Sequence, residues 1–65
     1  MPSSVIRAYH YEPAKWRLQV VFHSGRRYSY FAVPPEVYEQ LQHARSKGEF
    51  FNAAIRDHFS FAREV

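Results

Sequence analysis

An aromatic segment that ends at two prolines constrains the fold of this chain more than any other feature. It runs from Gly25 to Pro35 and reads Gly-Arg-Arg-Tyr-Ser-Tyr-Phe-Ala-Val-Pro-Pro. Before this segment the apolar residues tend to alternate with a period of two, and after it they recur at spacings of three and four. Because proline lacks a backbone N–H, it suits the first turn of a helix. The segment therefore predicts a strand that leads into a helix start.

Two further strands are predicted ahead of this segment. Residues 4–11 form the first, since Val5, Ile6, Tyr9 and Tyr11 all favour strands. Residues 12–15 contain Pro13 and are predicted as a turn. The second strand covers residues 16–22, in which every second side chain is large and apolar, so one face of the strand is expected to be buried and the other wet. The apolar positions are Trp16, Leu18, Val20 and Phe22.

The turn between the second and third strands decides which face of the sheet carries Tyr28 and Tyr30, because a shift of one residue exchanges the two faces. A three-residue loop, residues 23–25 with Gly25 left-handed, pairs Val20 with Tyr28 and Leu18 with Tyr30. A two-residue loop would place both tyrosines on the open face. We favour the three-residue loop because it collects the large residues on one side of an antiparallel sheet.

Two helices are predicted after the prolines. The first begins at Pro34 and Pro35 and extends to about residue 46, with Gly48 as the residue that ends it. The second covers about residues 49–58 and buries Phe51 and Ile55. Residues 60–65 give no clear signal. The predicted fold class is α+β, a three-stranded antiparallel meander followed by two helices packed on one face, in the order β-β-β-α-α.

Composition limits the remaining choices. The 65 residues predict a single domain over residues 1–65, and the absence of cysteine removes disulfides and thiolate metal sites. The first residues, Met1 to Ser4, carry no charged leader, and no apolar run approaches the roughly 18 residues of a membrane span. A cytoplasmic protein is therefore expected, with no membrane partner. The formal charge of +3 is compatible with a polyanionic partner.

Catalytic and metal sites are not expected. The histidines are scattered without an i, i+4 pair or an acidic cluster that would complete a metal set. His23 and Ser24 are adjacent but lack an orienting acid and an oxyanion loop. We therefore expect a protein that is not an enzyme and that holds no metal or cofactor.

The residues resemble the KTSC domain, a family named for its place at the C-terminus of some lysyl-tRNA synthetases and also found as stand-alone bacterial proteins. The resemblance spans nearly the whole chain, and its most specific marks are Tyr28-Ser29-Tyr30 and Ser46-Lys47-Gly48. The chain departs a little from the family's usual pattern at Tyr9-His10-Tyr11-Glu12, where an aspartate tends to follow the tyrosine. Further matching segments are Ser4-Val5-Ile6, Leu18-Gln19-Val20-Val21-Phe22, Ser24-Gly25, Val33-Pro34, Ala44-Arg45, Phe51-Asn52 and Ile55-Arg56.

The resemblance implies a domain without established enzymatic activity, whose synthetase setting suggests RNA binding. It offers no catalytic residue to carry over. By match to the family pattern, the candidate binding residues are Tyr28, Tyr30, Lys47, Asn52 and Arg56. Tyrosines can stack bases, but the favoured hairpin loop points Tyr28 and Tyr30 at the helices, so we expect them to be core residues. Lys47 is expected at a joint between helices that needs no ligand.

The opposite, open face of the predicted sheet carries arginines among aromatic side chains. Arg17, Arg27 and Phe31 lie on it, with Arg7 and Tyr9 beside them if the first strand pairs suitably. Such a surface suits single-stranded RNA or tRNA, because guanidinium groups contact phosphates and rings stack on bases. An ordinary solvated face stays open as an interpretation. The alternative function is a protein-interaction module that docks a partner or forms a homodimer through Val21 and Phe31.

Overall fold

The computed structural model describes residues 6–64 as a four-stranded antiparallel sheet with two helices against one face. The sheet order follows the chain, β1-β2-β3-β4. The predicted α+β class is confirmed, but the predicted count of three strands is wrong, because a strand follows the helices. The elements are β1 (Ile6–Glu12), β2 (Arg17–Phe22), β3 (Arg27–Tyr30), α1 (Pro35–His43), α2 (Lys47–Ala54) and β4 (Phe61–Glu64).

The strand β4 forms from the tail that gave no sequence signal. It pairs with β3, from Tyr30 opposite Phe61 to Arg27 opposite Glu64. The Ser29 hydroxyl donates a hydrogen bond to the Glu64 carboxylate, although Ser29 is only 1% exposed. This buried serine therefore has a partner only when β4 is paired.

The hairpin between β2 and β3 has the predicted three-residue loop. The Phe22 N–H donates to the Arg26 carbonyl at 2.9 Å and the Gly25 N–H donates to the Phe22 carbonyl at 2.8 Å. Gly25 has a φ of 94°, which glycine adopts readily because it lacks a Cβ. The register pairs Leu18 with Tyr30 and Val20 with Tyr28, so the predicted pairing is confirmed.

The preceding turn lies one residue later than predicted, at residues 13–16 instead of 12–15. The Lys15 N–H donates to the Glu12 carbonyl at 3.1 Å and the Trp16 N–H donates to the Pro13 carbonyl at 3.3 Å. Trp16 therefore ends the turn instead of opening β2, with a left-handed φ of 52°. Its side chain is 46% exposed, and the prediction that it joins the apolar face is wrong.

The helices cover the sheet through a small aromatic and aliphatic core. Tyr11 stacks on Tyr38 of α1 at 4.4 Å between ring centroids, and its hydroxyl donates to the Val33 carbonyl at 2.7 Å. This hydrogen bond links β1 to the segment that leads into α1. The buried hydrophobic residues are Ile6, Tyr11, Leu18, Val20, Tyr30, Val33, Leu41, Phe51 and Ile55.

The joint between the helices differs from the prediction. The first helix ends at His43, and Gly48 lies inside α2 instead of ending α1. Ser46 caps α2 by accepting a hydrogen bond from the Glu49 N–H at 3.2 Å, which moves the start of α2 ahead of Gly48. The second helix ends at Ala54, short of the predicted residue 58. Across residues 6–64 neither helix has both the length and the apolar character that a bilayer crossing requires.

The first predicted strand is displaced slightly along the chain. The structure has β1 at Ile6–Glu12, where residues 4–11 were predicted. Of the predicted residues, Ser4 and Val5 lie outside the described part of the chain. The pairing with β2 is irregular between Ile6 and Ala8, and regular from Ala8 onward.

The buried Tyr11 hydroxyl provides a test of this packing. We expect Tyr11→Phe to lower the free energy of unfolding by about 1 to 2 kcal/mol, because the Val33 carbonyl loses its donor inside the core. Urea denaturation measures the change. Tyr38→Phe is the matched control, since it removes a hydroxyl from the ring stacked on Tyr11. An equal loss in both variants would contradict the assignment.

Candidate nucleic-acid interface

A cavity of about 650 Å³ opens where the β2–β3 hairpin, the end of α2 and β4 meet. Its floor consists of aromatic rings carried by the helix side of the sheet and by α2. The rings on the strands are held there by the register described above, because residues paired across strands point to the same face, and Phe51 is carried by α2. The floor residues are Phe22, Tyr28, Tyr30, Phe51 and Phe61.

The floor rings contact one another closely and differ in exposure. The Phe61 centroid lies 5.6 Å from that of Tyr28 and 5.4 Å from that of Tyr30, and Tyr30 meets Phe51 edge to face at 5.2 Å. Tyr30 is 3% exposed, Tyr28 is half-buried, and Phe61 is 53% exposed. The inner rings are therefore core residues that support Phe61 and Tyr28 as an accessible apolar surface.

Two polar walls stand on either side of the floor. The hairpin wall consists of His23, Ser24 and Arg26. The helix wall consists of Asn52 from α2 and of Arg56 and Asp57 just after it. The Arg56 Nη1 donates to the Asn52 Oδ1 at 3.5 Å, one helical turn apart. The lining thus combines guanidinium groups with accessible rings, an arrangement suited to an anionic ligand with an aromatic part.

The pKa of Tyr30 reflects its buried environment. Burial raises the pKa of Tyr30 above the usual 10.0 of a tyrosine, and the positive charge of Arg56 opposes this shift only in part. Burial likewise raises the pKa values of Tyr9 and Tyr11 on the same side of the sheet. The hydroxyl of Tyr30 is thus neutral at ordinary pH and serves as part of an uncharged floor.

The cavity brings together four of the residues predicted to bind RNA. Tyr28, Tyr30, Asn52 and Arg56 all line it. The prediction that both tyrosines are core residues is confirmed for Tyr30, whereas Tyr28 is half-buried and partly accessible from the cavity. Tyr30 is therefore a core residue, whereas Tyr28 packs against the core and is also accessible to a ligand in the cavity.

Two other predicted residues lie away from the cavity lining. Lys47 is the first residue of α2, and its Nζ lies 3.5 Å from the Ala44 carbonyl, to which it donates. Arg7 is exposed on β1, beside the irregular pairing between Ile6 and Ala8.

The open sheet face, meaning the side of the sheet away from the helices, carries Arg17 and Arg27 as predicted. Arg17 donates to the Glu12 carboxylate at 2.5 Å, and this bond lowers the pKa of Glu12. Arg27 lies opposite Glu64 in the pairing of β3 with β4, and the Glu64 carboxylate accepts a hydrogen bond from the Ser29 hydroxyl. The two arginines of this face thus stand beside two carboxylates, so the face offers less free positive charge than the sequence suggested.

Of the two aromatic residues predicted to lie on the open sheet face, Phe31 is exposed and Tyr9 lies on the helix side of the sheet. Phe31 follows β3 and is 38% exposed, and its N–H donates to the Ser60 carbonyl at 2.9 Å. Tyr9 lies on the helix side instead, where its ring meets that of Tyr38 edge to face at 6.1 Å. The conditional placement of Tyr9 on the open sheet face is wrong, because Tyr9 pairs with Val20 and shares its inward face.

Several cavity residues were missed by sequence reasoning. Phe61 belongs to the strand that was not predicted, so its ring could not be placed. Arg26 directly follows Gly25 of the predicted hairpin loop. This position was sufficient to predict that Arg26 lies at the hairpin. Asp57 was not among the residues predicted to bind a ligand.

The fold and the cavity define a small α+β domain with an aromatic floor and two polar walls. The chain belongs to the KTSC domain family, whose family model matches residues 2–59. The crystal structure of a KTSC domain protein from Yersinia pestis superposes with a TM-score of 0.89 at 30% sequence identity, covering 100% of this chain and 92% of that protein.

Two kinds of protein are similar in sequence to this chain. A lysine--tRNA ligase from Nostoc punctiforme is 47% identical over 58 residues, which is 89% of this chain but 10% of that protein. The chain therefore spans about a tenth of the length of that ligase. An uncharacterized protein from Stutzerimonas stutzeri is 41% identical over 64 residues, covering 97% of this chain and 90% of that protein. The family thus includes regions of tRNA ligases and small separate proteins, as the resemblance implied.

The raised tyrosine pKa values predict a fall in stability at alkaline pH. A folded-state pKa above the unfolded value means that the neutral phenol favours folding, so this stabilisation is complete below about pH 10 and is lost as pH rises through the folded pKa. Denaturation midpoints measured across this range, with phenolate absorbance followed in parallel, test it. Tyr30→Phe should remove one late-titrating phenol; an unchanged titration curve would contradict the assignment.

Proposed function

We propose that this KTSC domain is a non-catalytic RNA-binding module that holds unpaired nucleotides in the cavity. The observation that carries the proposal is the exposed Phe61 and Tyr28 floor between Arg26 and Arg56. Stacking of a base on an aromatic side chain is worth about 1 to 3 kcal/mol, and guanidinium groups bind phosphate and stack on bases. The two components of single-strand recognition therefore occur in one concave site.

The family context supports this proposal. Relatives named lysine--tRNA ligase contain a region similar to this chain, so a KTSC domain occurs within proteins that by name act with tRNA. The formal charge of +3 favours approach to a polyanion. Unpaired nucleotides are the expected target, because the floor needs a free base face, which a duplex does not present.

The open sheet face supports RNA binding less well. Its Arg17 is already bonded to Glu12, and a phosphate there would compete with that carboxylate. Arg27 faces Glu64 across the strands. A phosphate near this face would meet two negative groups, so the cavity is the better location within the described chain.

Fluorescence anisotropy with a labelled single-stranded RNA and with tRNA tests the proposal. Arg26→Ala and Arg56→Ala should each weaken binding, and Arg26→Ala, which removes a phosphate contact, should reduce the log-log salt slope by about 0.7. Arg45→Ala is the matched control, because Arg45 is exposed but lies outside the cavity lining. Stronger losses in Arg17→Ala and Arg27→Ala than in the cavity variants would instead locate the site on the open sheet face.

Exposed aromatic residues favour a second candidate function, the protein-interaction module predicted from the sequence. Trp16 is 46% exposed and Phe31 is 38% exposed, and the Trp16 carbonyl accepts from the Val33 N–H at 2.9 Å, which brings their two segments together. A surface of this kind buries apolar area when a partner or a second copy covers it.

Sedimentation velocity tests the homodimer form of this alternative. If Phe31 and Val21 form a self-association surface, the protein should sediment as a concentration-dependent dimer, and Phe31→Ala should shift it to monomer by removing apolar contact area. Moderate salt should hardly change the equilibrium, because the contact is apolar. A monomer at all concentrations would contradict the homodimer.

A further inference from the structure

We propose that the cavity selects a guanine nucleotide, with its phosphate at the hairpin wall and its base edge at the helix wall. This assignment rests on the proposed RNA-binding function and names the nucleotide that the same site prefers. A volume of about 650 Å³ lies within the 300 to 1,000 Å³ typical of small-ligand pockets. One unpaired nucleotide therefore fits.

The difference between the walls orients the nucleotide. The hairpin wall contributes His23, Ser24 and Arg26, which can all donate hydrogen bonds, and it contributes no carboxylate to the lining. The helix wall contains Asp57, whose negative charge repels a phosphate. The phosphate therefore binds beside Arg26, and the base points toward Asp57 with one face on Phe61 and Tyr28.

The helix wall presents a donor next to an acceptor. Arg56 only donates hydrogen bonds and an ionised Asp57 only accepts them, and both line the cavity as chain neighbours. The Watson–Crick edge of guanine presents the complementary order, an O6 acceptor followed by the N1–H and N2–H donors. A single carboxylate can accept both of these donors, while Arg56 donates to O6.

The other bases match this wall less completely. Adenine and cytosine present an amino donor beside a ring-nitrogen acceptor, and uracil has one N–H between two carbonyls. Each of them can place an acceptor at Arg56 and a donor at Asp57, but each offers the Asp57 carboxylate one N–H on this edge, where guanine offers two. They therefore make one charge-assisted hydrogen bond fewer with Asp57, which favours guanine.

Calorimetric titration of the intact protein with the four nucleoside 5′-monophosphates measures the preference. We expect guanosine monophosphate to bind about tenfold more tightly than the adenosine, cytidine and uridine forms. Guanosine without phosphate should bind more weakly, and Arg26→Ala should abolish that difference. Equal affinity for the four nucleotides would overturn the guanine assignment.

Asp57→Asn gives the decisive variant, because it keeps the size of the side chain and removes its purely accepting character. It should abolish the guanine preference and leave the thermal unfolding midpoint unchanged. Glu49→Gln is the matched control, since Glu49 is an exposed acid of α2 outside the cavity lining. A guanine preference that survives Asp57→Asn overturns the proposal.

The same proteins tested with labelled RNA separate the two proposals. RNA binding that depends on Arg26 and Arg56 without base preference would leave the proposed function standing and overturn the guanine assignment. Guanosine monophosphate binding without RNA binding would support the selective cavity and overturn the RNA function. Absence of both would overturn both.

Discussion

The three-residue hairpin at residues 23–25 is the constraint on which the rest of the structure depends. Gly25 takes a φ of 94° and thereby sets Leu18 opposite Tyr30 and Val20 opposite Tyr28. A loop shorter by one residue would turn both tyrosines to the open sheet face and leave the helices without an aromatic surface to cover. Because Tyr30 then faces the helices, its partner Phe61 on β4 faces them as well. One left-handed glycine thus determines both the core and the cavity floor.

The predictable part of the fold is the part governed by local patterns. Alternation over β2 and the loop glycine were enough to predict the register of the hairpin, and the prolines marked the start of α1. The strand β4 was missed because Phe61–Glu64 is short, and its three other residues are small or charged. Its partner β3 lies some thirty residues earlier, so only the folded sheet defines its register. Trp16 was misplaced because its alternation with Leu18 looked like the start of a strand, whereas the turn after Pro13 extends to it.

The candidate site was predictable only in part, for a related reason. Tyr28, Tyr30, Asn52 and Arg56 were selected from the family pattern and do line one cavity. Their assembly could not be read from the sequence, because the cavity needs Phe61 from the unpredicted strand. The open sheet face looked basic in the sequence because its acidic residues are separated from its arginines along the chain. Glu12 lies five positions before Arg17, and Glu64 lies much farther from Arg27. Strand pairing brings the Glu12 carboxylate onto Arg17 and sets Glu64 opposite Arg27.

The position of Phe61 on an edge strand links ligand binding to strand docking. The strand β4 has a single neighbour and joins the sheet by closing a long loop that contains both helices, so it is the element whose detachment disturbs the fewest other pairings. A ligand that touches Phe61 binds only molecules in which β4 is docked. By mass action, ligand binding then stabilises the docked form of β4 at the C-terminal end of the described chain. The observed affinity is lower than the intrinsic affinity, because part of the binding free energy goes into docking this strand.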